Sequence, residues 1–309
     1  MLEINKARDI LNGKHYNISQ KMRALFFLRN INNTESVLSI MSAFHNESVL
    51  LKHELAYVLG QMRDPTCIQT LKDVLSNTAE NEIVRHEAAE ALGNFLDKND
   101  IDFLKSFLKD ISIPVRETCY LAIKKIENHH KSENKINFEK SENFLKNYNL
   151  SDSSIQFDKI ELSEFDSCDP AYPLIIDDNF LEFIYLKHSD IYLRYGAMFS
   201  LRNKKNISIL VKGFKDNSAL FRHEVAFVLG QLKMKESILY LKEVLDNENE
   251  HDMVRHECAE AIGAIGTDEC HKILMKYLNC DADIVRESAE VALDICAYEM
   301  STETEYCKV

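Results

Sequence analysis

Apolar residues recur along this chain at helical rather than strand spacing. Leu51, Leu55, Val58 and Met62 fall three and four positions apart, which places them on one face of a helix. Ser48 stands before that run as a candidate N-cap, and Asn81 before the next but one. Leu71, Val74 and Leu75 mark a helix between them, which Asp64-Pro65 opens, with proline in a first turn where its missing N–H does no harm. The same spacing predicts a helical pair over residues 1–30, a short helix from Thr34 to Phe44, and another pair over Ile101–Leu108 and Val115–Ile126.

The pattern then repeats. His53-Glu54-Leu55-Ala56-Tyr57-Val58-Leu59-Gly60-Gln61 returns as His223-Glu224-Val225-Ala226-Phe227-Val228-Leu229-Gly230-Gln231. Val84-Arg85-His86-Glu87 returns as Val254-Arg255-His256-Glu257, and Ala24 to Asn30 returns as Ala197 to Asn203. Units of about 30 to 33 residues, two helices each, indicate an all-α solenoid of the HEAT type. We expect two pseudo-symmetric halves, residues 1–128 and 174–300, facing each other across a dinuclear metal site. A polar linker over 129–173, expected to be partly disordered, joins them, and a polar tail follows at 301–309. Val115-Arg116-Glu117 and Val285-Arg286-Glu287 repeat the motif without its histidine, as terminal capping units would.

Composition narrows the class. Eight glycines and four prolines in 309 residues favour helices over many short strands. No apolar run is long enough to span a membrane, and no signal-peptide core is visible at the N-terminus. Eight scattered cysteines without a C-x-x-C pair suggest reduced thiols and a cytoplasmic location. A net charge of −13 argues against a nucleic-acid surface and is compatible with a cationic substrate or a basic partner.

The candidate chemistry lies in four His-Glu dipeptides. Eleven histidines would give about one such pair by chance at ordinary glutamate usage. All four share one phase of the repeat, 33 residues apart within a half and 170 between halves. Neighbouring helices pack roughly 10 Å apart, so two histidines and a carboxylate from adjacent units can converge on one ion. Imidazole with carboxylate suits iron or manganese, with zinc and nickel still possible. Glu90 and Glu260 are rival ligands, one turn beyond His86 and His256, but have no equivalents at Tyr57 and Phe227. Arg85 and Arg255 are expected to form structural ion pairs. The same text could also serve packing alone, with the glutamates favoured near helix N-termini.

These motifs, together with Met253-Val254-Arg255-His256-Glu257-Cys258-Ala259-Glu260-Ala261 and Asp169-Pro170-Ala171, resemble deoxyhypusine hydroxylase, a family of HEAT-repeat diiron monooxygenases. The resemblance covers nearly the whole chain apart from the linker and tail. It implies hydroxylation of deoxyhypusine on translation initiation factor 5A, with two Fe2+ per chain and O2 as co-substrate. It further implies that His53, His86 and Glu87 hold one iron and His223, His256 and Glu257 the other. By the same resemblance Glu54 and Glu224 bind the cationic substrate chain, and Met253 lines the pocket. The alternatives are a HEAT-like bilin lyase and a non-catalytic HEAT scaffold, which a metal count separates from the hydroxylase.

Overall fold

The computed structural model describes residues 2–131, 156–158, 165, 167–302 and 306–307. The first half contains α1 (Leu2–Asn12), α2 (Ile18–Ile31), α3 (Thr34–Met41), α4 (Val49–Met62), α5 (Ile68–Ser76), α6 (Glu82–Asn94), α7 (Ile101–Lys105) and α8 (Ile113–His129). The second contains α9 (Asp178–Lys187), α10 (Ile191–Asn203), α11 (Ile207–Leu210), α12 (Ala219–Leu232), α13 (Ile238–Asp246), α14 (Asp252–Ile265), α15 (Asp268–Leu274) and α16 (Asp283–Glu299). Between them, β1 (Gln156–Phe157) and β2 (Leu174–Ile175) form a two-stranded antiparallel pair. Most of the expected linker disorder concerns residues outside the described ones.

Local chemistry sets the helix starts. Ser48 and Asn81 each accept a hydrogen bond from a backbone N–H of the first turn of α4 and α6, as read from the sequence, and Ser218 does the same for α12. For α14 the cap is His251, whose Nδ1 accepts from the Met253 N–H. The apolar stripe of α4 is buried as its spacing requires, with Leu51, Leu55 and Val58 fully enclosed. Each such aliphatic side chain contributes about 1.5–3 kcal/mol on burial.

The even-numbered helices form the inner layer. α2, α4, α6 and α8 pack in succession, as do α10, α12, α14 and α16. Their spacing is close because glycine faces alanine. A Cβ on Gly60 would stand 2.8 Å from Ala91 Cα, and one on Gly263 2.7 Å from Ala292 Cα. The stacks then close on each other, with α8 against α10 and α12, and α16 against α2 and α4. The result is a ring of eight helices.

Ring closure corrects the expectation that the histidine-free units are caps. Glu287 accepts a 2.6 Å hydrogen bond from the Ser48 hydroxyl, and Glu117 accepts one of 2.6 Å from Ser218. Each terminal unit therefore seals against the opposite half instead of facing solvent. The tail joins the same seam. Arg23 on α2 pairs with Asp294 on α16 and lies over the Tyr306 ring, whose hydroxyl donates to Asp294.

Candidate metal centre and substrate pocket

Each His-Glu dipeptide sits in the second turn of an inner helix, and ring closure brings all four together. The His53 ring lies 5.5 Å from that of His86, 6.1 Å from His223 and 5.3 Å from His256, centre to centre. His223 lies 5.6 Å from His86 and 5.3 Å from His256. His53, His86 and Glu87 offer ligand atoms within 4.8 Å of one another, the trio read from the first half. Among the described residues the other sets of this tightness are His256 with Glu257 and Glu260 in the second half, and His53 with His223 and His256 across the halves. His223 Nε2 is nevertheless 3.4 Å from Glu257 Oε2. Glu260 thus comes within reach of the histidines, while Glu90 lines the adjoining cavity.

The donor set fits a bound metal. All four rings are buried, yet among the described residues His53 Nε2 and both nitrogens of His86, His223 and His256 find no hydrogen-bond partner. An unpartnered buried polar atom costs about 1–3 kcal/mol, so seven in one cluster need a ligand to offset them. Imidazole nitrogens beside carboxylate oxygens, with no cysteine among them, form a set suited to iron or manganese.

Electrostatics point the same way. Burial first, then the His53 charge, lowers His86 and His256 well below the ordinary histidine value, and His223 to about 3. Burial also opposes charge on His53, but its neighbours outweigh it and hold the ring above 6.5. Glu54 Oε1 is 3.0 Å from Nδ1, and Glu87 Oε2 is 3.3 Å from Nε2. Burial, and then neighbouring carboxylates, pushes Glu257 and Glu90 up to about 8 and Glu224 and Glu260 well above the usual range. The cluster therefore carries more negative groups than it can ionise without incoming cations.

A cavity of about 230 Å³ runs from the His-Glu level toward the C-terminal turns of the ring helices. Glu54, Glu87, Glu224 and Glu257 line its inner part, and Tyr57 and Phe227 meet edge to face at 6.2 Å on its wall. Phe26, Arg29 and Ser167 to Pro170 complete it. Met253 is fully buried and is not part of this lining. It lies one turn before Glu257 on the same face of α14.

Sequence reading missed the linker's contribution. Asp169 accepts two bonds from the buried Arg202 guanidinium, and Ser167 accepts from Gln231. Asp169-Pro170-Ala171 was noticed only as a motif, and nothing periodic marks it as cavity wall. His251 was also missed; its Nε2 lies 3.2 Å from Glu82 Oε1 across the ring. Arg85 pairs with Asp110 at 2.6 Å as expected, whereas Arg255 faces Cys280 at that position and reaches Asp252 at 3.5 Å.

A sequence model described as HEAT repeats matches residues 34–124 and 207–294. Deoxyhypusine hydroxylase of Drosophila pseudoobscura pseudoobscura is 40% identical over 98% of this chain and 95% of its own length. That of Candida albicans is 38% identical over 99% of this chain and 96% of its own. The structure of human deoxyhypusine hydroxylase in complex with glycerol superposes with a TM-score of 0.83 at 37% identity, covering 96% of each chain. With its repeated helical pairs closed into a ring around four His-Glu dipeptides, the chain belongs to the deoxyhypusine hydroxylase family of HEAT-repeat proteins.

Proposed function

We propose that this chain is an iron-dependent monooxygenase of the cytoplasm that hydroxylates deoxyhypusine on translation initiation factor 5A, yielding hypusine and consuming O2. The observation that carries this reading is the set of seven unpartnered, buried ring nitrogens beside an acidic cavity. In this reading His53, His86 and Glu87 hold one iron and His223, His256 and Glu257 the other. Iron so held supplies the activation of O2 that hydroxylation of a C–H bond requires. The halves 1–128 and 174–300 each contribute one ligand set, and the 129–173 linker adds wall to the pocket. The 301–309 tail lies outside the reaction.

The remaining work belongs to the protein's own groups. Glu54 orients His53 through Nδ1, as carboxylates commonly orient ligating imidazoles. Glu54 and Glu224 also receive the ammonium groups of the substrate chain. A cation arriving beside Glu224, which burial and then the neighbouring carboxylates hold toward its neutral form, lets it ionise, so binding and charge relief are coupled there. Tyr57 and Phe227 narrow the pocket around the methylenes and exclude water. Met253 supports the floor behind Glu257.

The test is incubation of the iron-loaded protein with factor 5A carrying deoxyhypusine, with and without O2, read by mass spectrometry. An O2-dependent gain of one oxygen atom on the modified lysine is expected. No gain under any metal loading would overturn the reading.

A further inference from the structure

The two halves place the same guanidinium–amide pair at equivalent ends of the ring. Arg29, near the end of α2, donates to Gln61 Oε1 at 3.1 Å, and Arg202, near the end of α10, donates to Gln231 Oε1 at 2.9 Å. Their charges are treated differently. Arg202 is fully buried and held by Asp169 through bonds of 2.8 and 2.6 Å. Arg29 is partly exposed, lines the cavity and rests on the Phe26 ring, its carbon 5.1 Å from the centroid. Among the described residues it pairs with no carboxylate, and it is the cavity's one lysine or arginine among seven carboxylates.

Its height in the cavity is also informative. His53 and Gln61 are eight residues apart on α4, which is about 12 Å along the helix. Deoxyhypusine has ten bonds from its main-chain Cα to its terminal amine, about 12 Å when extended at roughly 1.2 Å per bond. An amine seated at the His-Glu level therefore leaves the main chain at the level of Arg29.

We propose that Arg29 is a specificity residue at the pocket mouth. It donates a hydrogen bond to a main-chain carbonyl oxygen of the polypeptide that carries the amine, and it repels free polyamines, which present a second ammonium at that height. This rests on the reading of the cavity as a deoxyhypusine pocket. An acidic cavity attracts any polyamine, so attraction alone does not select the protein-borne chain. Discrimination needs an element unfavourable to the competitor, and an arginine without a carboxylate partner supplies it.

The experiment is calorimetric titration of the iron-loaded full chain and its Arg29→Gln and Arg29→Lys variants with spermidine and with 1,4-diaminobutane. Spermidine spans nine bonds and reaches Arg29 from the inner carboxylates; diaminobutane spans five and does not. Arg29→Gln is expected to bind spermidine at least about fivefold more tightly, with diaminobutane unchanged, and Arg29→Lys to behave as the parent. Equal spermidine affinities in the parent and Arg29→Gln, with diaminobutane bound by both, overturn the role of Arg29 alone. Failure of both proteins to bind diaminobutane overturns the reading of the cavity beneath it. Arg29 is partly exposed and among the described residues donates to Gln61 alone, so the fold survives its replacement, which thermal unfolding verifies.

Discussion

Ser48 and Glu287 are 239 residues apart in the chain, yet the Ser48 hydroxyl donates to Glu287 Oε2 at 2.6 Å. The same hydroxyl accepts from the Leu51 N–H, so one serine both starts α4 and fastens it to the other half. Ser218 and Glu117 repeat the arrangement at the second seam. Because His53 follows Ser48 by five residues, this bond helps set where the first half presents its ligands to the second.

Ser48→Ala is expected to destabilise the protein by about 2 kcal/mol, combining a lost cap with a partly buried acceptor left without its donor. In the double variant with Glu287→Leu the losses fall short of their sum by about 1 kcal/mol or more. Urea unfolding of the four proteins measures this. Losses that add within about 0.5 kcal/mol would show that the bond does not hold the seam.

Gly60→Ala tests the close approach of α4 and α6. The added methyl meets Ala91 at 2.8 Å, so the helices that carry His53 and His86 must separate. A loss of about 1–3 kcal/mol is expected, together with weaker iron retention. Thermal unfolding and metal analysis report the two effects. Unchanged stability with full iron would mean the ring accommodates the methyl without moving its ligands.

Acid sensitivity follows from Arg85 and Asp110. The Arg85 hydrogen bond holds the Asp110 carboxyl below its ordinary value. A folded value below the unfolded one gives stability that is complete above about pH 3.9 and is lost as pH falls through the folded value. The stability gap between the parent and Asp110→Asn should therefore be constant above about pH 5 and shrink below the ordinary carboxylate value. Urea midpoints across the acid range test it. A gap that persists undiminished to the lowest pH would place the effect elsewhere. The second half offers a comparison, since Cys280 stands where Asp110 would be.

The proposed division of labour separates two kinds of variant. His86→Ala is expected to lose metal and remain folded, because its imidazole leaves no broken hydrogen bond behind. Glu54→Ala and Glu224→Ala should keep iron and bind substrate more weakly. Iron analysis beside circular dichroism and a substrate-binding assay distinguishes them. Full iron in His86→Ala would remove it from the ligand set, and iron loss from Glu54→Ala would make Glu54 more than a substrate contact.

The local part of this structure was legible. Apolar spacing gave the helical pairs, and short polar side chains before those runs marked the caps at Ser48 and Asn81. Internal repetition singled out the four dipeptides that the fold gathers. That the halves face each other was expected, but the seams that close the ring were not legible, because Glu117 and Glu287 bond residues more than a hundred positions away and leave no periodic trace. Asp169 left no periodic trace either: its partner, Arg202, lies 33 residues on, in the inner helix α10. The asymmetry between Arg29 and Arg202 appears only once that contact is seen.

Metal content per chain, with a visible spectrum, on untagged protein purified in air is the most direct test of the central claim. About two irons per chain with a charge-transfer band are expected from two sets of imidazole and carboxylate ligands. Zinc, a single iron, or no metal after anaerobic ferrous reconstitution would contradict it.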